Sequence, residues 1–394
     1  MSDLGAPINM AAIRAIAGRD PARAIEILKR AMALEPDNLG AWLNYAGLLR
    51  STGRVDEALE AIIQALRVEP RSFHALLMRG SILESQDQFA LAGRAYSLAL
   101  LFAPRDGDLD PPTLAAVHRA RDHYAKYSER FANEIADAVE AKSGSMEGKG
   151  RARFRQFVEM VGGKSKLYEQ KPTDFHFPGL PAIAFYDDSV FPWLPKLEAA
   201  FPDILAELTT QISGGLKDFS PYVQLPVDVP VDQWVGLNHS PDWSSLFLKQ
   251  AGHVVAENAP QFPKTLEALA LIAQPETFNR SPVAMFSALQ PHTRIPPHHG
   301  ASNTRLVLHL PLIVPPGCGF RVGSETRQWV PGKAWVFDDT IEHEAWNDSE
   351  HLRIILIADV WSPFLTDDER RMHGILIHAI DEFHGEAASY SESL

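Results

Sequence analysis

The sequence predicts a chain in two parts: an N-terminal all-α solenoid of helical repeats, followed by a jelly-roll or cupin-like double-stranded β-helix domain with flanking helices. Two observations predict this. Prolines and small residues recur every 34 residues up to residue 104, and short strands separated by Gly- or Pro-bearing turns follow one another between residues 285 and 363. The predicted domains are 5–104 for the repeats, 105–163 for a helical connector and 164–394 for the β-domain.

The amino-acid composition limits which binding partners and which cellular compartment are expected for the protein. The 394 residues carry a formal net charge of -13, which argues against nucleic acid as a partner. No apolar run is long enough to predict a membrane span, and residues 1–7 lack the basic residues of a signal peptide. The single cysteine, Cys318, can form no internal disulfide. A reducing, cytoplasmic location is therefore expected.

The helical repeats are marked by three prolines, Pro36, Pro70 and Pro104. The same interval separates two sets of alanines, Ala24, Ala58 and Ala92, and Ala31, Ala65 and Ala99. The pattern resembles the tetratricopeptide repeat, in which small residues permit close packing of helices. The resemblance implies a short solenoid with a concave peptide-binding surface, so the expected partner is a peptide or protein substrate presented by that surface.

Strands with a polar face dominate the second half of the chain. From Arg305 to Val314 the period is two, so that Arg305, Val307 and His309 share one face and leucines occupy the other. Further elements are predicted from similar patterns: strands at Gly319–Val322, Gln328–Val330, Lys333–Asp338 and Arg353–Trp361, an opening strand at Pro178–Asp187, and helices at Phe191–Leu208 and Asp367–His384.

Two histidines, His298 and His343, lie 45 residues apart in this region. Imidazoles from separate strands of a barrel suit a non-haem iron site, and a loop histidine without a ligand role is the alternative for each one alone. His299 follows His298 directly, and consecutive residues of an extended segment point in opposite directions. Only one of the two can face a metal, and the position relative to Gly300 favours His298.

The stretch is similar to the aspartyl/asparaginyl β-hydroxylase family of iron(II)/2-oxoglutarate dioxygenases. The similarity rests on several short motifs: Phe286-Ser287, Pro297-His298-His299-Gly300, Asn303-Thr304-Arg305-Leu306, His309-Leu310, Glu342-His343-Glu344, Arg353, Asp359-Val360-Trp361 and, more weakly, Asp242-Trp243-Ser244. The similarity covers roughly the last half of the chain.

The resemblance implies a set of roles for single residues. His298 and His343 are the expected catalytic ligands of Fe(II), while Ser287, His309, Arg353 and Trp243 are the expected contacts of 2-oxoglutarate. With O2 as the second co-substrate, the implied reaction hydroxylates the β-carbon of an aspartyl or asparaginyl residue in a peptide or protein. A lipid or small-molecule hydroxylase is one alternative, and an interaction scaffold with an inactive barrel is another.

Two departures from familiar patterns bear on the site. The common facial triad has a carboxylate two residues after its first histidine, but this chain has Gly300 there, and the family it resembles also lacks that carboxylate. The family also tends to carry an arginine two residues before the histidine that corresponds to His309, and this chain has Val307. Arg305 lies on the same strand face and is the candidate replacement for binding 2-oxoglutarate.

Acidic residues surround the second histidine of the predicted pair. Each of them is either a side chain that orients the imidazole or a solvated residue of an acidic turn: Asp338, Asp339, Glu342 and Glu344.

Overall fold

A computed structural model of the chain describes residues 18–143, 149–277 and 280–384. The chain divides into two compact units, Met1–Lys166 and Leu167–Leu394. The predicted order, helical repeats followed by a β-sheet-rich domain, is confirmed. The start of the first repeat at residue 5, the segment 1–7, most of the break at 143–150 and the tail after residue 384 lie outside the described residues.

The first unit consists of helices in its described part. Their bounds are α1 Pro21–Leu34, α2 Leu39–Ser51, α3 Val55–Val68, α4 Phe73–Ser85, α5 Phe89–Leu101, α6 Pro111–Ser143 and α7 Lys149–Val161. The first two begin at side-chain caps, because Asp20 accepts a hydrogen bond from the Arg23 amide and Asn38 accepts one from the Ala41 amide. The recurrent alanines are all buried between neighbouring helices, as the repeat pattern predicts.

Gly80 on α4 marks a close approach of two repeat helices. A Cβ there would lie 2.4 Å from two ring carbons of Tyr96 on α5. Gly80→Ala is expected to destabilise the helical unit by about 1–3 kcal/mol through overpacking, less the roughly 1 kcal/mol that alanine contributes to helix propensity. Gly47 on α2 has no atom within 4 Å of the same position, so Gly47→Ala is the matched control and is expected to stabilise.

Urea unfolding of the full chain, followed by the helical circular dichroism signal, measures both variants. An equal gain in stability for the two substitutions would contradict the close packing at Gly80.

The second unit is built from two antiparallel sheets. Its strands are β1 Ser220–Pro221, β2 Trp243–Gln250, β3 His253–Val254, β4 Ala284–Leu289, β5 Thr293–His298, β6 Arg305–Ile313, β7 Cys318–Val322, β8 Glu325–Arg327, β9 Trp335–Phe337, β10 His343–Asn347 and β11 Arg353–Trp361. The larger sheet has the order β1-β2-β4-β11-β6-β9 with β3 paired to β2, and the smaller has the order β5-β10-β7-β8.

Helices α8 Leu194–Ala199, α9 Phe201–Ile212 and α10 Pro263–Leu269 pack against one face of the larger sheet. Helix α11 Asp367–His384 instead contributes His373 and Ile377 to the cavity between the sheets. Leu306, Leu308 and Leu310 of β6 form a core with residues of α8, α9 and α10, such as Leu197 and Ile204. The alternate residues of β6 face the other way, into the space between the sheets, as the period of two predicts.

Three of the predicted elements differ from the structure. Gln328–Val330 is not a strand, because Gly323 forms a turn with positive φ and the hairpin that follows pairs Glu325–Arg327 with β7 instead. Pro178–Asp187 is not a strand either, since its prolines lack amide donors, and only Phe185 forms a bridge, with Phe337. The helix predicted over Phe191–Leu208 is two helices, and the second begins beside Pro202.

The strand Arg353–Trp361 and the helix Asp367–His384 are confirmed. The capping box that begins the helix is also present, because the Thr366 amide donates to Glu369 at 2.8 Å and the Glu369 amide donates to the Thr366 hydroxyl at 3.2 Å.

Candidate active site

A cavity of about 300 Å³ lies between the two sheets of the second unit. Both sheets contribute to its walls, since inward-facing residues alternate along β2, β4, β6 and β11 and face β5, β7 and β10. All seven residues that the sequence selected line this one cavity: Trp243, Ser287, His298, Arg305, His309, His343 and Arg353.

The two histidines of the predicted metal site are cross-strand neighbours. His298 ends β5, His343 begins β10, and the two residues are directly paired in the antiparallel register. Side chains at such paired positions lie side by side on one face of a sheet. The two ring centroids are 4.0 Å apart. The pairing of β5 with β10 thus brings together residues that the sequence separates by a long connection.

Backbone carbonyls fix the tautomer of both imidazoles. His298 Nδ1 lies 2.7 Å from the Pro296 oxygen, and His343 Nδ1 lies 3.1 Å from the Ile341 oxygen. Because a carbonyl oxygen only accepts, each Nδ1 carries the hydrogen and each Nε2 keeps its lone pair. Burial lowers the pKa of His298 to about 4 and that of His343 well below its usual value, so both rings are neutral.

The donor set fits a metal held by two protein ligands. Two neutral imidazoles present their Nε2 lone pairs within one buried pocket. Neutral imidazole nitrogens are ligands that non-haem iron commonly uses in proteins. Within the described ranges, no group of three or more His, Cys, Asp and Glu side chains is placed to hold a metal ion. The expected ligands are therefore the two histidines, with the remaining positions left to co-substrate and water.

Asp339 fills the space beside Gly300, where a common facial triad would carry its carboxylate. A Cβ at Gly300 would lie 2.0 Å from Asp339 Oδ2, and the Gly300 amide donates to the Asp339 backbone oxygen at 2.6 Å. Asp339 Oδ2 also lies 3.1 Å from Arg305, while Asp339 Oδ1 is buried without a protein hydrogen-bond partner. Burial, with the nearby Asp338 and Asp359, raises the pKa of Asp339 to about 7 against the opposing effect of Arg305.

This packing predicts the outcome of restoring the missing carboxylate. Gly300→Asp is expected to destabilise the β-unit by about 1–3 kcal/mol or more, because the new side chain collides with Asp339 and buries a second acid. It is not expected to tighten Mn(II) binding. The double variant Gly300→Asp/Asp339→Gly removes the collision and is expected to recover part of the lost stability.

Thermal unfolding and Mn(II) titration of the three proteins measure these effects. A single variant that unfolds like the wild type and binds Mn(II) more tightly would show that Asp339 does not occupy this space.

At the deep end of the cavity lies Arg353, the first residue of β11. Its side chain is 1% exposed, and among the described residues no carboxylate forms an ion pair with it. Its contacts are the Ser287 carbonyl at 3.5 Å and the ring of Trp329 at 5.1 Å, and its Nε has no partner. Burial lowers its pKa to about 10. A buried cation without an acidic partner calls for an anion in the cavity.

Two further polar groups face the same end of the cavity. The Trp243 indole N–H donates to Ser287 Oγ at 3.1 Å, so the serine hydroxyl keeps its own hydrogen for a ligand. His309 is buried among aromatic rings, its pKa is lowered well below the usual value by burial and by Arg353, and its Nδ1 has no partner. Together with Arg353 these groups form a donor-rich pocket that suits a carboxylate.

Arg305 also lines the cavity, and its side chain is more exposed than that of Arg353, at 24%. Its Nη1 is 3.1 Å from Asp339 and 3.2 Å from Asp359. Burial alone would lower its pKa, but the two carboxylates raise it above the usual value. Val307 also faces the cavity, opposite Asp359 in the strand register. The proposed contact of Arg305 with 2-oxoglutarate stays a prediction.

In the described contacts, the backbone carbonyl of Ile341 orients the His343 ring by accepting from its Nδ1. The acidic residues around His343 make other contacts. Asp338 accepts from the Thr340 amide and hydroxyl and from Gln170, and Asp339 contacts Arg305. Glu342 and Glu344 both pair with Arg321. Each histidine ring is held by the backbone carbonyl two residues before it. No sequence pattern indicates such a contact, because every residue has a backbone carbonyl.

Other cavity residues escaped the sequence prediction. Met285 shares its strand face with Ser287, and Ile355 and Ile357 share theirs with Arg353, so the period of two along β4 and β11 contains the signal that locates them. His373 and Ile377 of α11 also line the cavity. No local pattern indicates this, because α11 reaches the cavity only through the tertiary fold.

The two-sheet domain therefore combines, in one cavity, a buried pair of neutral histidines with a buried arginine that has no ion pair among the described residues. Residues 207–363 match the family described as Aspartyl/Asparaginyl beta-hydroxylase, and residues 15–80 match the Tetratricopeptide repeat. The chain therefore carries an aspartyl/asparaginyl β-hydroxylase domain preceded by tetratricopeptide repeats.

Curated relatives include two enzymes of this name. The "Aspartyl/asparaginyl beta-hydroxylase" of Mus musculus is 28% identical over 71% of this chain and 38% of its own length. The protein of the same name from Homo sapiens is 28% identical over 71% of this chain and 37% of its own length. The match thus spans less than two fifths of those proteins.

A third relative carries a different substrate in its name. The "Ornithine lipid ester-linked acyl 2-hydroxylase" of Rhizobium tropici is 33% identical over 45% of this chain and 60% of its own length. The names of these relatives support a hydroxylase function for the domain. Among the helices that the structure describes, none is long and apolar enough to cross a membrane.

Proposed function

We propose that the second unit is an iron(II)/2-oxoglutarate-dependent hydroxylase of an unactivated carbon. The observation that carries the proposal is Arg353, buried at 1% exposure without an acidic partner in the described residues, in the same cavity as the paired His298 and His343. A 2-oxoglutarate-dependent hydroxylase requires a metal site, here of two histidines, with a bound dicarboxylate beside it.

Each residue then has a task that follows from its contacts. His298 and His343 would hold the metal through Nε2, because their Nδ1 hydrogens are engaged by backbone carbonyls. Arg353 would bind the distal carboxylate of 2-oxoglutarate as a fork of N–H donors, and the Ser287 hydroxyl would complete that contact. His309 would stand at the other end of the dicarboxylate.

Iron(II) with 2-oxoglutarate supplies an oxidant from O2 that can hydroxylate an aliphatic C–H bond, and 2-oxoglutarate leaves as succinate and CO2. The protein contributes a dry and ordered pocket. Phe320, Phe337, Trp329 and Trp335 pack around His309 and keep bulk water from the deep end. Exclusion of water strengthens the electrostatic contacts that hold the dicarboxylate.

The family implies the β-carbon of an aspartyl or asparaginyl residue as the target, with the repeats presenting a peptide or protein. A lipid is a second candidate, which the relative named for an acyl 2-hydroxylase favours. We place the protein in a reducing, cytoplasmic compartment, because its single cysteine, Cys318, can form no internal disulfide.

The test uses the full chain loaded anaerobically with Fe(II) and then exposed to O2 and 2-oxoglutarate. Iron-dependent release of succinate is expected, and host peptide and lipid extracts are expected to yield a product that has gained one oxygen. Protein that binds neither Fe(II) nor 2-oxoglutarate would instead favour an interaction scaffold with an inactive barrel.

A further inference from the structure

Arg305 and Arg353 line the same cavity but have opposite kinds of neighbours. Arg305 contacts Asp339 at 3.1 Å and Asp359 at 3.2 Å, so acids both hold it and compensate its charge. Arg353 is buried, and no carboxylate among the described residues forms an ion pair with it. The guanidinium of Arg353 is therefore held by uncharged groups.

The indole ring of Trp329 is one of these uncharged groups. The Arg353 Cζ atom lies 5.1 Å from the centroid of this ring. The hydrogen bond from Arg353 to the Ser287 carbonyl is long, at 3.5 Å, and contributes little on its own. A cation within about 6 Å of an aromatic face is attracted by the ring quadrupole, most strongly by tryptophan and more so where water is excluded. Trp329 thus supplies the attraction that acids supply to Arg305.

Trp329 is itself held in place by an aromatic stack. Its ring is stacked with Phe320, at a centroid distance of 5.5 Å and an angle of 30°, and with Trp335, at 6.0 Å and 15°. The Trp329 side chain is buried, and its Nε1 has no hydrogen-bond partner among the described residues. Stacking and not hydrogen bonding therefore orients the ring, which offers Arg353 a fixed surface.

An aromatic face differs from an acid in what it leaves available on the arginine. A carboxylate would accept hydrogen bonds from the guanidinium and compensate its charge, as Asp339 and Asp359 do for Arg305. A ring attracts the cation without accepting in-plane hydrogen bonds, and Arg353 Nε indeed has no partner. The charge and the N–H donors of Arg353 thus stay available for an anionic ligand.

We propose that Trp329 is a positioning residue, whose indole face holds the Arg353 guanidinium ready for the distal carboxylate of 2-oxoglutarate. The proposal rests on the hydroxylase function proposed above and adds to it a residue that acts through Arg353. Because this action reaches only the distal carboxylate, loss of the ring weakens ligands that carry this group and spares ligands that lack it.

The test titrates the full chain, in the presence of Mn(II), with 2-oxoglutarate and with 2-oxopentanoate. The second ligand keeps the keto acid and the five-carbon chain but ends in a methyl group. Trp329→Leu is expected to weaken 2-oxoglutarate binding at least about tenfold and to change 2-oxopentanoate binding less than about twofold. Trp329→Phe keeps a weaker aromatic face, so a loss of about threefold is expected, again for 2-oxoglutarate alone.

Trp346→Leu is the matched control. Trp346 also has an arginine over its ring, since the Arg294 Cζ atom lies 5.7 Å from the ring centroid. Arg294 is exposed and paired with Asp348, and Trp346 is not among the described residues that line the cavity. The control therefore removes a tryptophan–arginine contact outside the site, and both ligands are expected to bind it as they bind the wild type.

The pattern across the two ligands decides the proposal. Unchanged 2-oxoglutarate affinity in Trp329→Leu, or an equal loss for both ligands, would overturn it, because an equal loss marks a general effect on the fold. If Trp329→Leu does not fold, Trp329→Phe decides by the same comparison.

A wild type that binds neither ligand would instead contradict the proposed hydroxylase function. The hold of Trp329 on Arg353 is then decided by urea unfolding of Trp329→Leu, Arg353→Met and the double variant. The effects of the two substitutions on the unfolding equilibrium constant are expected to deviate from additivity by about threefold or more. Additive effects would show that the ring does not hold the guanidinium.

Discussion

Arg353→Ala is expected to weaken binding of 2-oxoglutarate by at least about thirtyfold. Truncating one side of a buried, hydrogen-bonded charge pair costs about 2–5 kcal/mol, and about 1.4 kcal/mol corresponds to each factor of ten. Arg353 fits this case because it is buried at 1% exposure and lacks an acidic partner in the described residues. Arg353→Lys is expected to rescue binding only partly, since an ammonium cannot form the bidentate contact.

Titration of 2-oxoglutarate with Mn(II) as an inert substitute for iron measures this effect. Arg294→Ala is the matched control, because Arg294 lies on β5 at the surface and pairs with Asp348. In the wild type, 2-oxoglutarate is expected to raise the unfolding temperature by linkage, and this rise is expected to vanish in Arg353→Ala. Undiminished binding in Arg353→Ala would remove the anchor from the proposed function and shift weight to the scaffold alternative.

In the proposed function, the end of 2-oxoglutarate away from Arg353 lacks an arginine, because Val307 stands where the family tends to carry one and offers no charge. The affinity for 2-oxoglutarate is therefore expected to depend strongly on the metal, more than it would with an arginine at this position. The same titrations without Mn(II) provide the comparison. Arg305 is held by Asp339 and Asp359, so a direct contact with the co-substrate would have to compete with both carboxylates.

The sequence predicted the site well where local periodicity carries the information. The period of two along β6 assigns His309 to the interior and Leu308 to the helix-covered face, and both assignments hold. A different signal, the continuous apolar run that follows Arg353, predicted that this residue begins a buried strand, and it does. The period of two is informative because one face of each sheet is packed and a shift of one residue would turn every side chain to the wrong side.

The sequence failed where tertiary contacts or turns decide. The turn at Gly323 moved the β8 pairing to Glu325–Arg327, three residues before the predicted strand. The contribution of Ile377 to the cavity depends on the ion pair between Arg280 and Asp381, whose partners lie 101 residues apart. Such contacts leave no periodic trace, so a single sequence does not reveal them.

His298→Ala and His343→Ala are each expected to abolish stoichiometric uptake of iron by the anaerobic protein. The reason is the small number of metal ligands. The two rings are neighbours across β5 and β10, and the described residues offer no third His, Cys, Asp or Glu to complete a cluster. A site with only two protein ligands has no redundancy, and removal of either leaves a single imidazole. Metal content per chain and Mn(II) titration measure the loss.

His299→Ala is the control for this experiment. His299 also lines the cavity, but it is His298 whose ring centroid lies 4.0 Å from that of His343 and whose Nδ1 is engaged by a backbone carbonyl. Uptake is therefore expected to remain mostly intact in His299→Ala. Wild-type protein that binds no iron, or iron that is lost only in His299→Ala, would overturn the assignment of the two ligands. Loss of metal with unchanged unfolding temperature of the metal-free protein would show that the substitutions act on the site and not on the fold.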